Sequence, residues 1–338
     1  MSDLSTKYLG LNLKSPLLAS ASPLCESVDN VKRLEDHNLG AVVLPSLFEE
    51  QLELESMSVD SDLERGTESF PESINFFPDL RTYNLGPDRY LELIRQAKES
   101  VHIPIIASLN GVSSGGWLQY ARLIEEAGAD ALELNIYSIA TDPAVGSSQV
   151  EQGYMDLVRH LKRSIRIPVA VKLSPFFSAP ANMGVRLDEA HADGIVIFNR
   201  FYQPDFDIEQ LEVSPSLTLS RPEELLVRLH WTAILYGHVR ADLGITGGVH
   251  SAPDVVKCIL AGAKVAFMTS ALLLNGMQHA SQVLVELDRW LDEHEYTSVQ
   301  QMCGSMSQGA VPDPAAFERG NYMKVLSSYT LHASGPNK

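Results

Sequence analysis

The sequence of 338 residues predicts an α/β fold, a barrel of eight parallel strands surrounded by helices. Eight short runs rich in Val, Ile, Leu and Ala recur along the chain, and helix-patterned sequence follows them. Near-continuous apolar strands are typical of a parallel sheet that is covered on both faces. The predicted strands are residues 16–21, 40–46, 103–110, 129–136, 167–174, 192–199, 243–249 and 263–270. This pattern predicts a TIM (β/α)8 barrel.

The intervening helices are predicted from apolar spacing and end signals. Residues 87–100 open on a proline and repeat apolar residues about every 3.6 positions. A glycine near the end of residues 116–130 and another near the end of residues 252–264 fit helix C-caps. Residues 156–168 are predicted as a further helix. A doubly wound open sheet is the alternative. The count of eight and the absence of a G-x-G-x-x-G turn after the first strand favour the barrel.

Two insertions and a C-terminal extension interrupt this regular pattern. Residues 47–86 follow the second strand, and residues 200–224 follow the sixth and are predicted to form a hairpin. Both insertions lie where barrel active sites form, so we expect them to shape a substrate pocket or lid. We predict a barrel domain over residues 1–304. Residues 305–338 are predicted as a partly helical extension, with a helix over 314–328 and a disordered end.

Composition and charge exclude several classes of function. The net charge of −17 and the absence of a basic run argue against a nucleic-acid binder. No signal-peptide pattern begins the chain, and no stretch approaches the roughly 18–20 apolar residues that cross a bilayer. Three widely spaced cysteines and ten histidines without ligand spacing predict no disulfide framework and no metal site. We expect a cytoplasmic protein with small-molecule or protein partners.

Polar or small residues occupy the carboxyl ends of the predicted strands. They are Ser20, Ala21, Ser22, Ser46, Asn110, Asn135, Lys172, Asn199, Thr246, Gly247, Gly248, Thr269 and Ser270. A purely structural barrel does not require them, and together they form a ring suited to a flat polar ligand. Gly247 and Gly248, with Thr269 and Ser270, fit the phosphate site of such barrels. The alternative is a tight turn that needs glycine for its backbone angles.

Lys172 stands between apolar residues on the fifth predicted strand, where an unpaired charge is costly. Three interpretations are open for it. In the first, the stem of the side chain packs in the core while the charged head reaches water. In the second, the amine forms a Schiff base with a substrate. In the third, the ammonium lies beside an electron-rich ring that must hold negative charge.

Several motifs, taken in order, resemble the FMN-dependent dihydroorotate dehydrogenases over nearly the whole chain. They are "NLKSPLLASAS", "GAVVLPS", "SINFF", "NLG", "ELNIYS", "AVKLSPFF", "ITGGVHSAPDVVKCILAGAKVAFMTSALL" and "EYTSVQQMCG". Each motif alone is weak, whereas their order and spacing are specific. The resemblance implies FMN as the cofactor and the oxidation of dihydroorotate to orotate, a step of pyrimidine biosynthesis.

The resemblance also implies roles for individual residues. Contacts to FMN fall on Ala21, Ser22, Ser46, Asn135, Lys172, Asn199, Gly247, Gly248, Thr269 and Ser270, and Asn110 is predicted with them as a further polar strand end. Substrate contacts fall on Asn75, Asn135 and Asn199. Ser138 matches the base that removes a substrate proton while hydride passes to flavin N5, with Lys172 near flavin N1. A serine base needs a hydrogen-bonded relay or water. The alternative is that Ser138 only caps a turn.

The chain also departs from the family's pattern. Ile139 and Ala140 stand where the family has proline and a substrate-binding asparagine. Each buried polar group left unpaired costs about 1–3 kcal/mol, so the departures weaken recognition of dihydroorotate more than of flavin. Arg81 offers a new anion contact. A different small acid or cyclic amide as substrate therefore stays open. So does a flavin-binding protein without turnover that serves a partner.

The sequence also leaves open the oligomeric state of the protein and the route by which electrons leave it. The resemblance allows a homodimer and an electron-transfer partner subunit, and the electron acceptor is not readable from the chain.

Overall fold

The computed structural model describes residues 2–51, 86–111, 117–200, 203–214 and 217–327. Its strands are β1 (Thr6–Tyr8), β2 (Leu11–Leu13), β3 (Leu17–Ala19), β4 (Val42–Phe48), β5 (Ile105–Asn110), β6 (Ala131–Asn135), β7 (Val169–Leu173), β8 (Gly194–Ile197), β9 (Asp205–Asp207), β10 (Glu212–Ser214), β11 (Asp242–Thr246) and β12 (Val265–Met268). Eight of them close into a parallel barrel in the order β3 to β8, then β11 and β12. The predicted TIM barrel is confirmed, and each barrel strand lies inside one predicted apolar run or within two residues of it.

Helices surround the barrel. The α-helices of the described residues are α1 (Val28–Asp36), α2 (Pro87–Ser100), α3 (Trp117–Glu126), α4 (Ser147–Ser164), α5 (Pro180–Glu189), α6 (Leu225–Leu235), α7 (Ala252–Ala261), α8 (Ser270–Asn275), α9 (Gln278–Glu293), α10 (Val299–Met302) and α11 (Tyr322–Ser327). Among these helices, none has both the length and the apolar content that a membrane crossing requires.

The predicted helix boundaries hold where a cap was visible in the sequence. Helix α2 has the predicted bounds, and Gly128 and Gly262 take left-handed φ angles of 97° and 117° after α3 and α7. Helix α4 begins nine residues before the predicted start at residue 156. Its first turn is polar and exposed, so apolar periodicity does not reveal it.

The amino end of the barrel is closed by the β1–β2 hairpin. Tyr8 and Leu9 are buried there, and the Tyr8 ring meets Phe267 edge-on with 6.1 Å between centroids. Glycine in β8 makes room for this plug, because a Cβ on Gly194 would lie 2.6 Å from Leu9 Cδ2. A ligand therefore reaches the barrel interior from the carboxyl end of the strands.

The second strand of the barrel carries a proline in its interior. The pairing of β4 with β5 shifts register between Val43 and Ser46. Pro45 lies within this interval and has no N–H to donate to a ladder, which explains the irregularity.

The second insertion follows β8, at the carboxyl end of the barrel strands. The predicted hairpin is present as β9 and β10, which pair antiparallel with Phe206 opposite Val213. Of the first insertion, residues 52–85 lie outside the described residues, and with them Asn75 and Arg81.

The C-terminal segment is described as far as residue 327. Within the predicted helix over 314–328 the structure has 3₁₀ turns at Pro314–Phe317 and Arg319–Asn321, followed by α11. Residues 328–338 lie outside the described part, so the boundary at residue 304 and the disordered end stay predictions.

Candidate active site

A cavity of about 260 Å³ opens at the carboxyl end of the barrel strands. Eight residues predicted to bind the cofactor line it: Ala21, Ser22, Lys172, Asn199, Gly247, Gly248, Thr269 and Ser270. A second cavity of about 290 Å³ lies at the opposite end, beside Thr6 and Lys264, and contains none of the predicted site residues. The folded chain thus brings residues from the first, fifth, sixth, seventh and eighth barrel strands to one place.

Three predicted flavin contacts are not part of the lining, namely Ser46, Asn110 and Asn135, which lie on β4, β5 and β6. Ser46 Oγ is 2.8 Å from Ser108 Oγ, so the two hydroxyls share a hydrogen bond across the strands. Asn110 stands beside Asn135 in the pairing of β5 with β6. Their contact with a ligand stays a prediction.

Two asparagines meet at the cavity wall. Asn199 Nδ2 donates to Asn135 Oδ1 at 2.8 Å, and Asn135 is buried directly behind the lining residue Asn199. This bond uses one acceptor and one donor of the pair. The N–H groups of Asn135 and the carbonyl oxygen of Asn199 remain to orient a polar ligand.

Lys172 forms a buried ion pair that the sequence analysis missed. Its Nζ lies 2.8 Å from Glu133 Oε1, and the two side chains are 8% and 1% exposed. Strand β6 presents Glu133 and Asn135 on one side because side chains alternate along a strand. A buried acid in a strand with apolar neighbours is itself a signal, since such a group is almost never buried without a partner.

The ion pair separates the three interpretations of Lys172. A head in water does not fit a side chain that is 8% exposed. A Schiff base needs the neutral amine, whereas Glu133 stabilises the ammonium. The ammonium has three N–H donors, and the described residues accept one of them. Lys172 therefore presents a positive charge with donors to spare at the cavity.

The glycine pair after β11 forms a close-packed turn. Gly247 and Gly248 have φ angles of 90° and 81°, in the left-handed region that disfavours other residues. A Cβ on Gly248 would lie 2.5 Å from the backbone nitrogen of Leu225. Both the backbone angle and the close approach therefore require glycine, and the turn presents its backbone at the cavity.

Hydroxyl groups complete this end of the cavity. Ser270 Oγ accepts from the backbone N–H of Ser220 at 3.0 Å and lies 2.8 Å from Ser220 Oγ. Thr269 Oγ1 is buried and has no hydrogen-bond partner among the described residues. An unsatisfied buried hydroxyl costs about 1–3 kcal/mol, so this group fits a site that a polar ligand fills. The arrangement suits a phosphate.

Arg228 supports the glycine turn from behind, and no sequence pattern pointed to it. Its Nε donates to the Thr246 carbonyl at 2.5 Å, and Nη1 donates to the Glu224 carbonyl. Burial lowers the pKa of Arg228, and the Glu224 carboxylate opposes that shift. A single arginine in a helical segment predicts an exposed side chain, so the sequence does not indicate this buried position of Arg228.

Ser138, the predicted base, lies half-buried in the segment after β6 and outside the cavity lining. The Tyr154 hydroxyl donates to the Ile136 carbonyl at 3.1 Å and so ties this segment to α4. Burial raises the pKa of Tyr154 to about 12, and a hydrogen bond to the Ser138 backbone reduces that effect. The catalytic role of Ser138 stays a prediction.

The chain is similar in sequence to several proteins of known name. The chain is 27% identical over 318 residues to the catalytic subunit of dihydroorotate dehydrogenase B (NAD(+)) of Thermoplasma acidophilum, covering 90% of this chain and 99% of the relative. It is 28% identical over 227 residues to a putative dihydroorotate dehydrogenase A (fumarate) of Aeropyrum pernix, covering 63% and 71%. It is 23% identical over 329 residues to the NAD-dependent dihydropyrimidine dehydrogenase subunit PreA of Escherichia coli K12, covering 92% and 78%.

A family model confirms the resemblance found in the motifs. The model described as dihydroorotate dehydrogenase matches residues 3–291, which includes the whole barrel and every described residue of the cavity lining. Members of this family are oxidoreductases and flavoproteins. Because the family model covers most of its length and its strands close into the predicted barrel, this chain belongs to the dihydroorotate dehydrogenase family.

Proposed function

We propose that this oxidoreductase binds FMN in the carboxyl-end cavity and oxidises dihydroorotate, or a closely related ring, to the unsaturated product. The observation that carries the proposal is the gathering of eight predicted flavin contacts around one cavity, with a cationic lysine in its wall and a glycine turn at its edge. Bound FMN supplies the hydride acceptor.

The phosphate end of the cavity fits the cofactor. The hydroxyls of Thr269 and Ser270, which line the cavity with the Gly247–Gly248 turn, offer hydrogen-bond donors to phosphate oxygens. The buried Thr269 hydroxyl gains a partner when a phosphate is held there. These groups act as a preformed cradle that only a small anion at this position fills.

The polar wall supplies the remaining functions. Lys172, held by Glu133, places positive charge where a flavin ring accumulates negative charge on reduction. Asn135 and Asn199, bonded to each other, orient the ring substrate. Ser138 takes the proton that leaves the substrate carbon and passes its own hydroxyl proton to water, while the neighbouring carbon loses hydride. The substrate thus loses two electrons and two hydrogens in all.

A second candidate substrate is a dihydropyrimidine that lacks the carboxylate. Ile139 and Ala140 remove an amide that the family uses for substrate, and both side chains are exposed. The similarity to a dihydropyrimidine dehydrogenase subunit supports this alternative. The names of two relatives, a catalytic subunit and the PreA subunit, also support a separate electron-transfer partner for this chain.

Anaerobic reduction tests the function and separates the substrates. The purified protein, loaded with FMN, is titrated without oxygen with dihydroorotate and, separately, with 5,6-dihydrouracil. Bleaching of the flavin band by dihydroorotate alone supports the first proposal, and bleaching by dihydrouracil supports the second. A bound flavin that neither compound reduces, but dithionite does, points to a flavin protein that works on behalf of a partner.

A further inference from the structure

Arg200 is a cationic side chain in the cavity wall with no role in the family assignment above. It follows Asn199 directly, beyond the end of β8. Among the described residues that line the cavity, the charged ones are Lys172 and Arg200. Lys172 is paired with Glu133 and is assigned above to the flavin ring, whereas Arg200 has no assigned ligand group.

The present partner of Arg200 holds it only loosely. Arg200 Nη2 lies 3.5 Å from Glu224 Oε1, and the two side chains are 35% and 31% exposed. Ion pairs this long and this exposed contribute about 0–1 kcal/mol. Releasing Arg200 from Glu224 therefore costs little.

The Glu224 carboxylate is also shared with other donors. Its Oε1 accepts from the backbone N–H of Arg221 at 3.0 Å, and its Oε2 lies 3.8 Å from Arg228 Nη2. Among the described residues, one carboxylate thus faces two guanidinium groups, which leaves one positive charge of the arginine pair without an acidic partner. Arg228 is fixed by its bonds to backbone carbonyls, whereas Arg200 is the member that can turn.

Arg200 shares the cavity lining with both Asn199 and Gly247. Its partner Glu224 also faces Arg228, and Arg228 lies against the Gly247 turn, since a Cβ on Gly247 would be 2.7 Å from Arg228 Nη2. Its backbone adjoins Asn199, which is bonded to Asn135. An anion at either end can therefore attract the guanidinium by a charge-assisted, bidentate contact.

We propose that Arg200 is the anion-binding residue of the cavity. When a ligand binds, the Arg200 guanidinium moves away from Glu224 and pairs with a phosphate or a carboxylate of the bound molecule. The proposal rests on the proposed function and adds a residue that selects ligands by charge. The anion comes either from the flavin phosphate or from a substrate carboxylate, and paired ligands that differ only in that group tell the two sources apart.

The test compares wild type with Arg200→Ala and Arg200→Lys, and uses Arg221→Ala as the control. Arg221 is exposed and lies outside the cavity lining, so its side chain serves as a nearby cation without the proposed role. Equal thermal midpoints show that the variants fold alike. Dissociation constants are measured for FMN and riboflavin, and then, on the FMN-loaded protein, for orotate and uracil from changes in the flavin spectrum.

If the phosphate is the anion, Arg200→Ala weakens FMN binding about 10- to 100-fold and leaves riboflavin binding unchanged. If the carboxylate is the anion, the same loss appears for orotate and not for uracil. The loss of affinity in Arg200→Lys should lie between that of wild type and that of Arg200→Ala, because lysine keeps the charge and loses the bidentate geometry. Arg221→Ala resembles wild type in every case.

Equal affinities of wild type and Arg200→Ala for all four ligands would overturn the proposal, and so would equal losses within both ligand pairs. Wild-type protein that binds neither flavin refutes the proposed function itself, and the role of Arg200 with it. Wild-type protein that binds flavin without help from Arg200 refutes the role of Arg200 alone.

Discussion

At the scale of single residues, the cavity depends on groups that are costly to bury and are therefore paired. Glu133 and Lys172 are nearly inaccessible to water and form an ion pair. One hydrogen bond joins the amides of Asn135 and Asn199. Such pairs fix side-chain orientation before a ligand arrives, which lowers the ordering cost of binding.

Removing one member of the ion pair should destabilise the fold. We expect Lys172→Met to lower the free energy of unfolding by about 3–5 kcal/mol, because Glu133 is left buried and unpaired. The double variant Glu133→Met with Lys172→Met should regain most of that loss and still fail to support flavin reduction. Urea unfolding of the three proteins checks the prediction. A single variant as stable as wild type would contradict the importance of the pair.

A second prediction concerns the glycine turn. Gly248→Ala should abolish tight FMN binding, since the new Cβ would lie 2.5 Å from a backbone atom of Leu225. Gly237→Ala is the matched control, because Gly237 has a similar φ of 86° and open space around it. Both changes carry the left-handed penalty of about 1–2 kcal/mol. Only Gly248→Ala should lose flavin affinity as well, which fluorescence titration with FMN measures.

A third prediction addresses the proposed base. Ser138→Ala should slow anaerobic flavin reduction about 10²- to 10⁴-fold, the usual contribution of a general base. FMN content should stay unchanged, since Ser138 does not line the described cavity. Ser148→Ala, an exposed serine at the start of α4, serves as the control. A reduction rate for Ser138→Ala equal to that of the control would contradict a catalytic role and would mean that Ser138 only caps a turn.

At the scale of elements, helix and strand ends place the polar groups. Helix α7 begins just after the glycine turn with a capping box in which Ser251 Oγ donates to Asp254 Oδ2 at 2.8 Å. The same carboxylate accepts from the backbone N–H groups of His250 and Ser251. These bonds hold the segment that leads from Gly248 into the helix. The geometry of the turn thus depends on the cap.

Loss of this cap should therefore affect both stability and flavin binding. Asp254→Ala should lower the free energy of unfolding by about 0.5–2 kcal/mol and weaken FMN binding. Ser298 caps α10 at the other end of the barrel by accepting from the Gln301 N–H at 3.2 Å. Ser298→Ala should bring a similar stability loss with no change in FMN affinity. Equal losses of FMN affinity in Asp254→Ala and Ser298→Ala would mean that the cap of α7 affects flavin binding only through the overall stability of the protein.

Elements were also the level at which the sequence was most informative. Eight apolar runs and the glycine caps at Gly128 and Gly262 are local signals, and the strands and helix ends follow from them. Sequence patterns did not indicate Glu133 and Arg200, because their partners lie 39 and 24 residues away. They did not indicate Arg228, because its partner Thr246 lies on another element. The polar start of α4 carries no apolar period. Local patterns predict elements, whereas charge pairing depends on how those elements pack.

At the scale of the whole molecule, the barrel has one closed and one open end. The β1–β2 hairpin fills the amino end with Tyr8 and Leu9, so the polar strand ends are concentrated on one side. A ligand that binds only this folded arrangement stabilises it by mass action, by about 2.7 kcal/mol at a concentration 100 times the dissociation constant. We expect FMN to raise the thermal midpoint of wild type and to leave that of Gly248→Ala unchanged.

Whether the cavity holds FMN is tested by the visible absorption spectrum of the protein after incubation with FMN and removal of free ligand. We expect a flavin band that stays with wild type at a stoichiometry near one per chain and is absent from Gly248→Ala. A wild-type protein that passes the column colourless, although folded, would contradict it.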